Sequence, residues 1–337
     1  MKILISGYHN PHYQTITEYI ERAVCGLGHE VIVFNDRKHI IPGRLRHRCK
    51  PLQAVSLAAI NSSLVRLADK TRPDLVIVTG GHRITRKTLR ELARRGFRVV
   101  LWTTDRPDPK DIMRETVFNY DRVFCQGTEY VDIFKELGVS DALWLPMGCD
   151  PEIHSPVSLS EDQEADLGSD VVFVGSFYPY RAENLEALRG FNLAIWGPGW
   201  ENLPGHSALG GCVRGAHTPP HKWVKIYSAS KIVLALHNSS GCDAAIAHQA
   251  SPRVFEALAC GAFVLTDCKK DVLELFRSGE HLTAFADAGD LREKVAHFLS
   301  RPAARQRIAA AGRREVLKNH TYQKRLKTLI DMSGASS

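Results

Sequence analysis

The segment SPRVFEALACGAFVLTD, Ser251 to Asp267, places two ionisable side chains in the opening turns of a short helix that leads into an apolar strand. Ser251 is a good N-cap, and Pro252 suits the first helical position. Gly261 suits the exit. At 3.6 residues per turn, Val254, Phe255, Leu258 and Ala259 form one apolar face. Arg253 and Glu256, three apart, are neighbours on another. The unpaired backbone N–H groups at such a helix start carry about half a positive charge and favour a phosphate, and Arg253 adds to that charge. Glu256, one turn deeper, offers the two oxygens that vicinal ribose hydroxyls need. A surface ion pair between the two, worth about 0.2–0.5 kcal/mol, is the other reading that this spacing allows.

Similar groups follow other apolar runs. VVFVGSFYPYRAENL sets Gly175 and Ser176 at a strand end and Arg181 before the next helix, the parts of a pyrophosphate cradle. AIWGPGW ends a strand in a turn at Gly197, between Trp196 and Trp200, which suits the face of a nucleobase or simply a stiff turn over core tryptophans. IVLALHNSSG puts His237 and Asn238 at the next strand end. In the first half, His9 and His12 follow KILISG, His82 follows LVIVTGG, and Asp105 and Asp108 follow VVLWTT. Each is a group that holds or deprotonates a substrate hydroxyl, or that caps a turn. Asp105 and His12 stand out as base or acceptor anchor, because they follow strands directly. The chain has no G-x-G-x-x-G or G-x-x-x-x-G-K-[ST] after its first strand, which argues against a dinucleotide fold in that half and against a P-loop NTPase. Cys212, His217 and His221 have a metal-like spacing, but no fourth ligand accompanies them and Pro219-Pro220 interrupts them, so no metal is expected.

Strands and helices must alternate to present these loops together. KILIS, EVIVF, DLVIVT, RVVLWTT, RVFC and ALWL are short apolar runs separated by helical stretches, and DVVFVG restarts the pattern. That alternation predicts parallel sheets covered on both faces. The aperiodic acidic stretch 154–169 divides it. The organisation expected is an N-terminal Rossmann-like domain over 1–153, a linker over 154–169, a second Rossmann-like domain over 170–320 and a last helix from 321. Two such domains facing across a cleft bind ligands in the loops after their strands.

The totals agree with a soluble two-domain protein of 337 residues, 44% hydrophobic and 24% charged. No run is long enough to span a bilayer and the start lacks a signal-peptide pattern, so a cytoplasmic location is expected. The eight cysteines form no C-x-x-C pair, which argues against a disulfide framework. The net charge of +7 is uneven: residues 1–150 hold 23 Lys and Arg against 17 Asp and Glu, and residues 151–337 hold 21 against 20. The basic stretches 37–50 and 83–98 suit a solvated face, an acidic acceptor or the inner face of a membrane. No nucleic-acid motif accompanies them.

SPRVFEALACGAFVLTD, with DVLELFRSGEHLTAFADAGDLREKV and NHTYQKRL after it, resembles the C-terminal domain of GT-B glycosyltransferases and more closely the CgeB-type branch. PDLVIVTGG, FRVVLWTTDRPDP, YDRVFCQGTEYVDIFKELG and LWLPMGCDPEIHSP are similar to that branch's N-terminal domain, in the same order. The resemblance implies a nucleotide-sugar donor (UDP-, GDP- or TDP-linked) on the second domain, an acceptor mainly on the first, no cofactor, and a last helix crossing back to the first domain. It implies ribose contact for Glu256 and pyrophosphate contact for Arg253 and Arg181. Retaining enzymes with this motif carry a second glutamate eight residues earlier, on the donor sugar. Here that residue is His248, which leaves the sugar and the stereochemical outcome open. A nucleotide-sugar epimerase of the same fold, or a non-catalytic coat protein that kept it, are the alternatives.

Overall fold

A computed structural model describes residues 1–10, 14–39, 44, 48–105, 112–216, 218–237 and 247–334. The chain divides into two compact units. Unit 1 is Met1–Pro146 with Tyr322–Ser337, and unit 2 is Met147–Thr321.

Unit 1 has a six-stranded sheet: β1 (Lys2–Gly7), β2 (Glu30–Asn35), β3 (Leu75–Thr79), β4 (Val99–Thr103), β5 (Arg122–Cys125) and β6 (Ala142–Trp144). The order is β2-β1-β3-β4-β5-β6, with every pair parallel. The central strands are buried along nearly their whole length, as continuous apolar runs predict when helices cover both faces. Those helices are α1 (Ile16–Gly26), α2 (Lys50–Thr71), α3 (Arg86–Arg94), α4 (Ile112–Thr116) and α5 (Thr128–Glu136). Helix α1 begins at the capping box that Thr15 and Glu18 suggest: the Thr15 N–H donates to Glu18 Oε2 at 2.6 Å, and the Thr15 hydroxyl accepts from the Thr17 N–H at 3.3 Å. Thr15→Ala should remove about 1 kcal/mol of stability, or about 3 °C of melting temperature. Thermal unfolding followed by circular dichroism checks this, and an unchanged melting temperature would show that the cap is dispensable.

Unit 2 has a second six-stranded parallel sheet: β7 (Ser169–Val174), β8 (Leu193–Trp196), β9 (Val213–Gly215), β10 (Ser230–Ala235), β11 (Val264–Asp267) and β12 (Thr283–Phe285). Its order is β12-β11-β10-β7-β8-β9. Around it run α6 (Glu161–Leu167), α7 (Pro179–Glu186), α8 (Pro220–Ala229), α9 (Pro252–Ala259), α10 (Lys270–Leu275), α11 (Ala288–Leu299) and α12 (Pro302–Asn319). The polar stretch 154–169 is more structured than its composition suggests. It holds α6, started by a Ser160–Gln163 capping box, and a fully buried His154. Only Leu167 of α6 is buried, so no apolar period marks it.

The last helix, α13 (Tyr322–Met332), returns to unit 1. It buries Tyr322, Leu326, Leu329 and Ile330. The Tyr322 ring centroid lies 5.9 Å from that of Tyr19 on α1 and 6.4 Å from that of Trp102 on β4. The Arg98 guanidinium donates to the Ser333 carbonyl just beyond α13. The two ends of unit 2 are neighbours: the Cys149 N–H donates to the His320 carbonyl at 3.0 Å, and Cys149 pairs with Thr321.

Strand order fixes where each sheet can receive a ligand. A crevice opens where chain direction across the sheet reverses, outside the carboxyl ends of the two strands there. In unit 1 that point lies between β1 and β3. In unit 2 it lies between β7 and β10.

Candidate functional site

The β7–β10 switch of unit 2 brings together most of the residues singled out in the second half. Gly175 and Ser176 follow β7, His237 follows β10, and Asp267 ends β11 beside it. Helix α9 starts at the same edge. The Ser251 N–H donates to His237 Nε2 at 2.9 Å, so His237 keeps its proton on Nδ1, which lies 2.6 Å from Asp267 Oδ1. The His237 N–H donates to the same carboxylate oxygen at 3.1 Å. Both side chains are only 4% exposed. Burial alone would raise the Asp267 carboxyl, but His237 and Lys269 outweigh it and hold it below the usual range. Both ring nitrogens of His237 are thus engaged by protein, and its part is to anchor the start of α9 rather than to touch a ligand through its ring.

The anchored helix aims Arg253 at the end of β7. Its Nη1 donates to the Leu236 carbonyl at 3.3 Å, and the guanidinium lies 5.4 Å from the Phe173 ring centroid. A Cβ on Gly175 would come within 2.8 Å of Arg253 Nη2, so only glycine lets the guanidinium lie over this strand end. Arg181 approaches the same ring, 5.3 Å from its centroid, and donates from Nη1 to the Ser176 carbonyl at 2.9 Å. Arg181 is 6% exposed, and its Nε has no hydrogen-bond partner. Burial, and after it the charge of Arg253, bring Arg181 down to about 9. Two guanidiniums share one aromatic ring and repel each other.

The turn after β8 closes the floor. Gly197 has φ +134°, and a Cβ there would overlap the Gly175 carbonyl. The same carbonyl accepts from Trp200 Nε1–H at 2.9 Å, and the Gly175 N–H donates to the Trp196 carbonyl at 2.7 Å. Both tryptophans are buried, as a stiff turn over core side chains requires. Glu256 lies a turn into α9 and is half-buried. Desolvation pushes its carboxyl up to about 7, with Arg253 pulling it back only in part. The His248 carbonyl accepts from the Asp271 N–H at 3.0 Å, which ties the segment before α9 to the start of α10.

Sequence reasoning missed Phe173, Tyr180, Asp267 and Lys269. The Tyr180 hydroxyl donates to Asp267 Oδ2 at 3.4 Å, and Lys269 Nζ lies 3.8 Å from that oxygen. The rule that singled out His237, a polar residue at the carboxyl end of a buried strand, would have found Asp267 as well. A cavity of about 520 Å³ in unit 2 lies at the opposite, amino-terminal edge of the sheet, lined by Ser230, Lys231, Phe263, Arg305 and Arg313, and is separate from this set.

In unit 1, Asp105 follows β4, and its Oδ2 lies 2.9 Å from His82 Nε2. The hydrogen bond from His82, working against burial, holds the Asp105 carboxyl below its usual range. A carboxylate held down in this way suits an anchor for a hydroxyl better than a proton acceptor. His12, Asp108, His217 and Asn238 lie outside the described residues. Among the described residues, no group of three or more His, Cys, Asp and Glu is arranged to hold a metal ion.

In sequence and in fold the chain resembles known proteins. Residues 181–331 match the family described as glycosyl transferase-like. The chain is 23% identical over 262 residues to spore protein CgeB of Bacillus subtilis (strain 168), covering 74% of this chain and 80% of that protein. In fold it resembles sucrose-phosphate synthase from Thermosynechococcus elongatus, with a TM-score of 0.72, 14% identity and full coverage of both chains. It also resembles Anabaena HepE in complex with UDP and glucose, with a TM-score of 0.66, 13% identity and full coverage of both chains.

Proposed function

We propose that this chain, a GT-B glycosyltransferase of CgeB type in sequence and fold, moves a sugar from a nucleoside diphosphate to an acceptor hydroxyl. The observation that carries the reading is the pair Arg181 and Arg253 on the Phe173 ring, beside the start of α9. Two guanidiniums that repel each other, Arg181 buried and Arg253 half-buried, gain most from a dianionic group between them. A pyrophosphate is such a group, and the N–H groups of the α9 start add to its hold. As the glycosidic bond breaks, charge builds on the leaving phosphate oxygen, and the same donors stabilise it there without a metal ion. Glu256 accepts from the ribose hydroxyls. Gly197 and its flanking turn lie against the base, and His248 lies toward the donor sugar.

The acceptor belongs to unit 1. The positive excess of residues 1–150 suits an acidic or membrane-surface acceptor. Among the described residues no helix is long and apolar enough to cross a membrane. A cytoplasmic protein working at the inner membrane face fits both features.

Melting curves with UDP, GDP, TDP and their sugars test the reading. UDP leads the panel because HepE has been solved with it. A ligand at 100 times its Kd adds about 2.7 kcal/mol, which is a rise of several degrees. Flat curves across the panel would sink the assignment. Binding with no transfer and no release of sugar would favour the non-catalytic alternative, and release of a free sugar with its configuration changed would favour the epimerase.

A further inference from the structure

The cavity of about 520 Å³ at the amino-terminal edge of the unit 2 sheet lies away from the arginine pair and has a chemistry of its own. Val157 and Phe263 give it an apolar wall, and Lys231, Arg305 and Arg313 give it charge. Among the described residues no Asp or Glu lines it. The bias continues along α12, where residues 301–314 hold five arginines and no carboxylate. Lys231 is already balanced, since its Nζ lies 2.7 Å from Asp170 Oδ1. Arg305 and Arg313 are half-buried, and their hydrogen-bond partners among the described residues are backbone carbonyls.

Arg313 Nε donates to the Ala259 carbonyl at the end of α9, at 3.1 Å, and Arg305 Nη1 donates to the Phe298 and Leu299 carbonyls at the end of α11. A helix end carries about half a negative charge, whereas a guanidinium carries a full positive one and five N–H donors. Capping therefore leaves a surplus of charge and of donors on the cavity wall. The frame that holds them is tight. A Cβ on Gly312 would overlap the His281 carbonyl and come within 2.7 Å of Leu258 Cδ2, so glycine lets α12 lie close against α9. A Cβ on Gly261 would lie 3.6 Å from Arg313 Cδ, so the arginine stem rests on the turn after α9. Guanidiniums fixed in this way select carboxylates and phosphates. One ligand filling the cavity meets both, and a phosphate monoester, with a charge of about −1.5 to −2 at pH 7, answers two cations better than a carboxylate does. The volume falls within the roughly 300–1,000 Å³ of small-molecule sites.

We propose that this cavity is a binding site for a small organic phosphate monoester, with the phosphate at the guanidiniums of α12 and an apolar body against Phe263 and Val157. It is a second ligand site of unit 2, on the edge of the sheet opposite Arg181 and Arg253, and it works independently of any nucleotide bound there.

Titration calorimetry with phenyl phosphate, inorganic phosphate and phenylacetate tests this. The wild type should bind phenyl phosphate about tenfold more tightly than inorganic phosphate, which lacks the apolar body, and than phenylacetate, which carries less charge. Arg313→Gln should weaken phenyl phosphate about 10- to 100-fold. Because Arg313 also caps α9, Ala310→Phe is its companion: Ala310 is exposed, and the larger side chain fills the cavity while leaving both guanidiniums in place. It should weaken phenyl phosphate comparably at an unchanged melting temperature. Arg181→Gln, at the other site, should leave that affinity unchanged within about twofold. A wild-type chain that binds no phenyl phosphate at millimolar concentration overturns the proposal. So does binding that Arg181→Gln abolishes and both cavity variants keep. Phenylacetate bound as tightly as phenyl phosphate overturns the choice of phosphate. Vesicles of phosphatidylcholine with phosphatidic acid present the same group on a lipid, and sedimentation with them that Ala310→Phe abolishes would overturn the choice of a free small molecule.

Discussion

Glu256→Gln should make the free chain more heat-stable at pH 8 and weaken its hold on a nucleoside diphosphate about 10- to 100-fold. The two effects share one cause. The Glu256 carboxyl is raised from 4.5 to about 7, chiefly by desolvation. A folded value above the unfolded one means that folding favours the protonated form. That stabilisation is complete below the unfolded value and is lost as pH rises through about 7. At pH 8 the folded chain therefore holds an ionised carboxylate in a place poorly suited to it. An amide of the same shape relieves the strain. Because the group is only half-buried, the gain is about 2 kcal/mol rather than the full value of the shift, or about 6 °C in melting temperature. The wild type should accordingly melt lower at pH 8 than at pH 5, and the variant should lose much of that difference. On the proposed glycosyl-transfer reading the ionised form is also the one that accepts two ribose hydroxyls, so nucleotide affinity in the wild type should rise with pH through the same window. Melting curves at the two pH values and titration calorimetry with UDP measure both halves. Unchanged affinity would mean that the carboxylate serves only as a partner of Arg253.

Gly197→Ala should cost about 4 kcal/mol, lower the melting temperature of unit 2 by about 12 °C and abolish nucleotide binding at micromolar concentrations. At φ +134° a side chain is strained whatever the space around it, and here the added Cβ also overlaps the Gly175 carbonyl. Relief requires β7 and β8 to part at their ends, which moves Gly175 away from Arg253 and breaks the bond from Trp200. Gly190 is the control. It has φ +90°, but nothing lies within 4 Å of a Cβ added there. Gly190→Ala should therefore cost only the backbone strain, about 1 kcal/mol. If the two variants melt within 2 °C of each other, close approach at the strand ends is not what Gly197 provides.

How much of this was legible beforehand differs by element. Helix α9 was readable to the residue, because Ser251 and Pro252 mark its start and its apolar face repeats at helical spacing. The strands β1, β3, β4, β7 and β10 were readable as uninterrupted apolar runs between turns. Strands β9 and β12 were not: at three residues each they are too short to show a period, and they exist as edges because β8 and β11 supply hydrogen-bond partners. The site divides in the same way. Arg181 and Arg253 were picked out as cations near helix starts, but their meeting on Phe173 depends on β7 lying beside β10, a neighbourhood set by chain crossover. The pairing of Asp267 with His237 stayed hidden for that reason, since thirty residues separate them. His237 was noticed for its position, but linear sequence could not show that both its nitrogens are already engaged. His9 was noticed as one of two histidines after β1. Its partner Glu21 lies on α1, twelve residues further along the chain, and so was not readable from the loop itself.

The hydrogen bond from Cys149 to His320 has a consequence for the order of assembly. Unit 2 is an insertion whose two ends meet, so its sheet is complete once residue 321 has been synthesised. Unit 1 begins first and finishes last. Its six strands are made by residue 144, yet the surfaces of Tyr19 and Trp102 stay open until Tyr322 and α13 arrive. During synthesis unit 2 can therefore mature while unit 1 still waits, half-covered, for its closing helix.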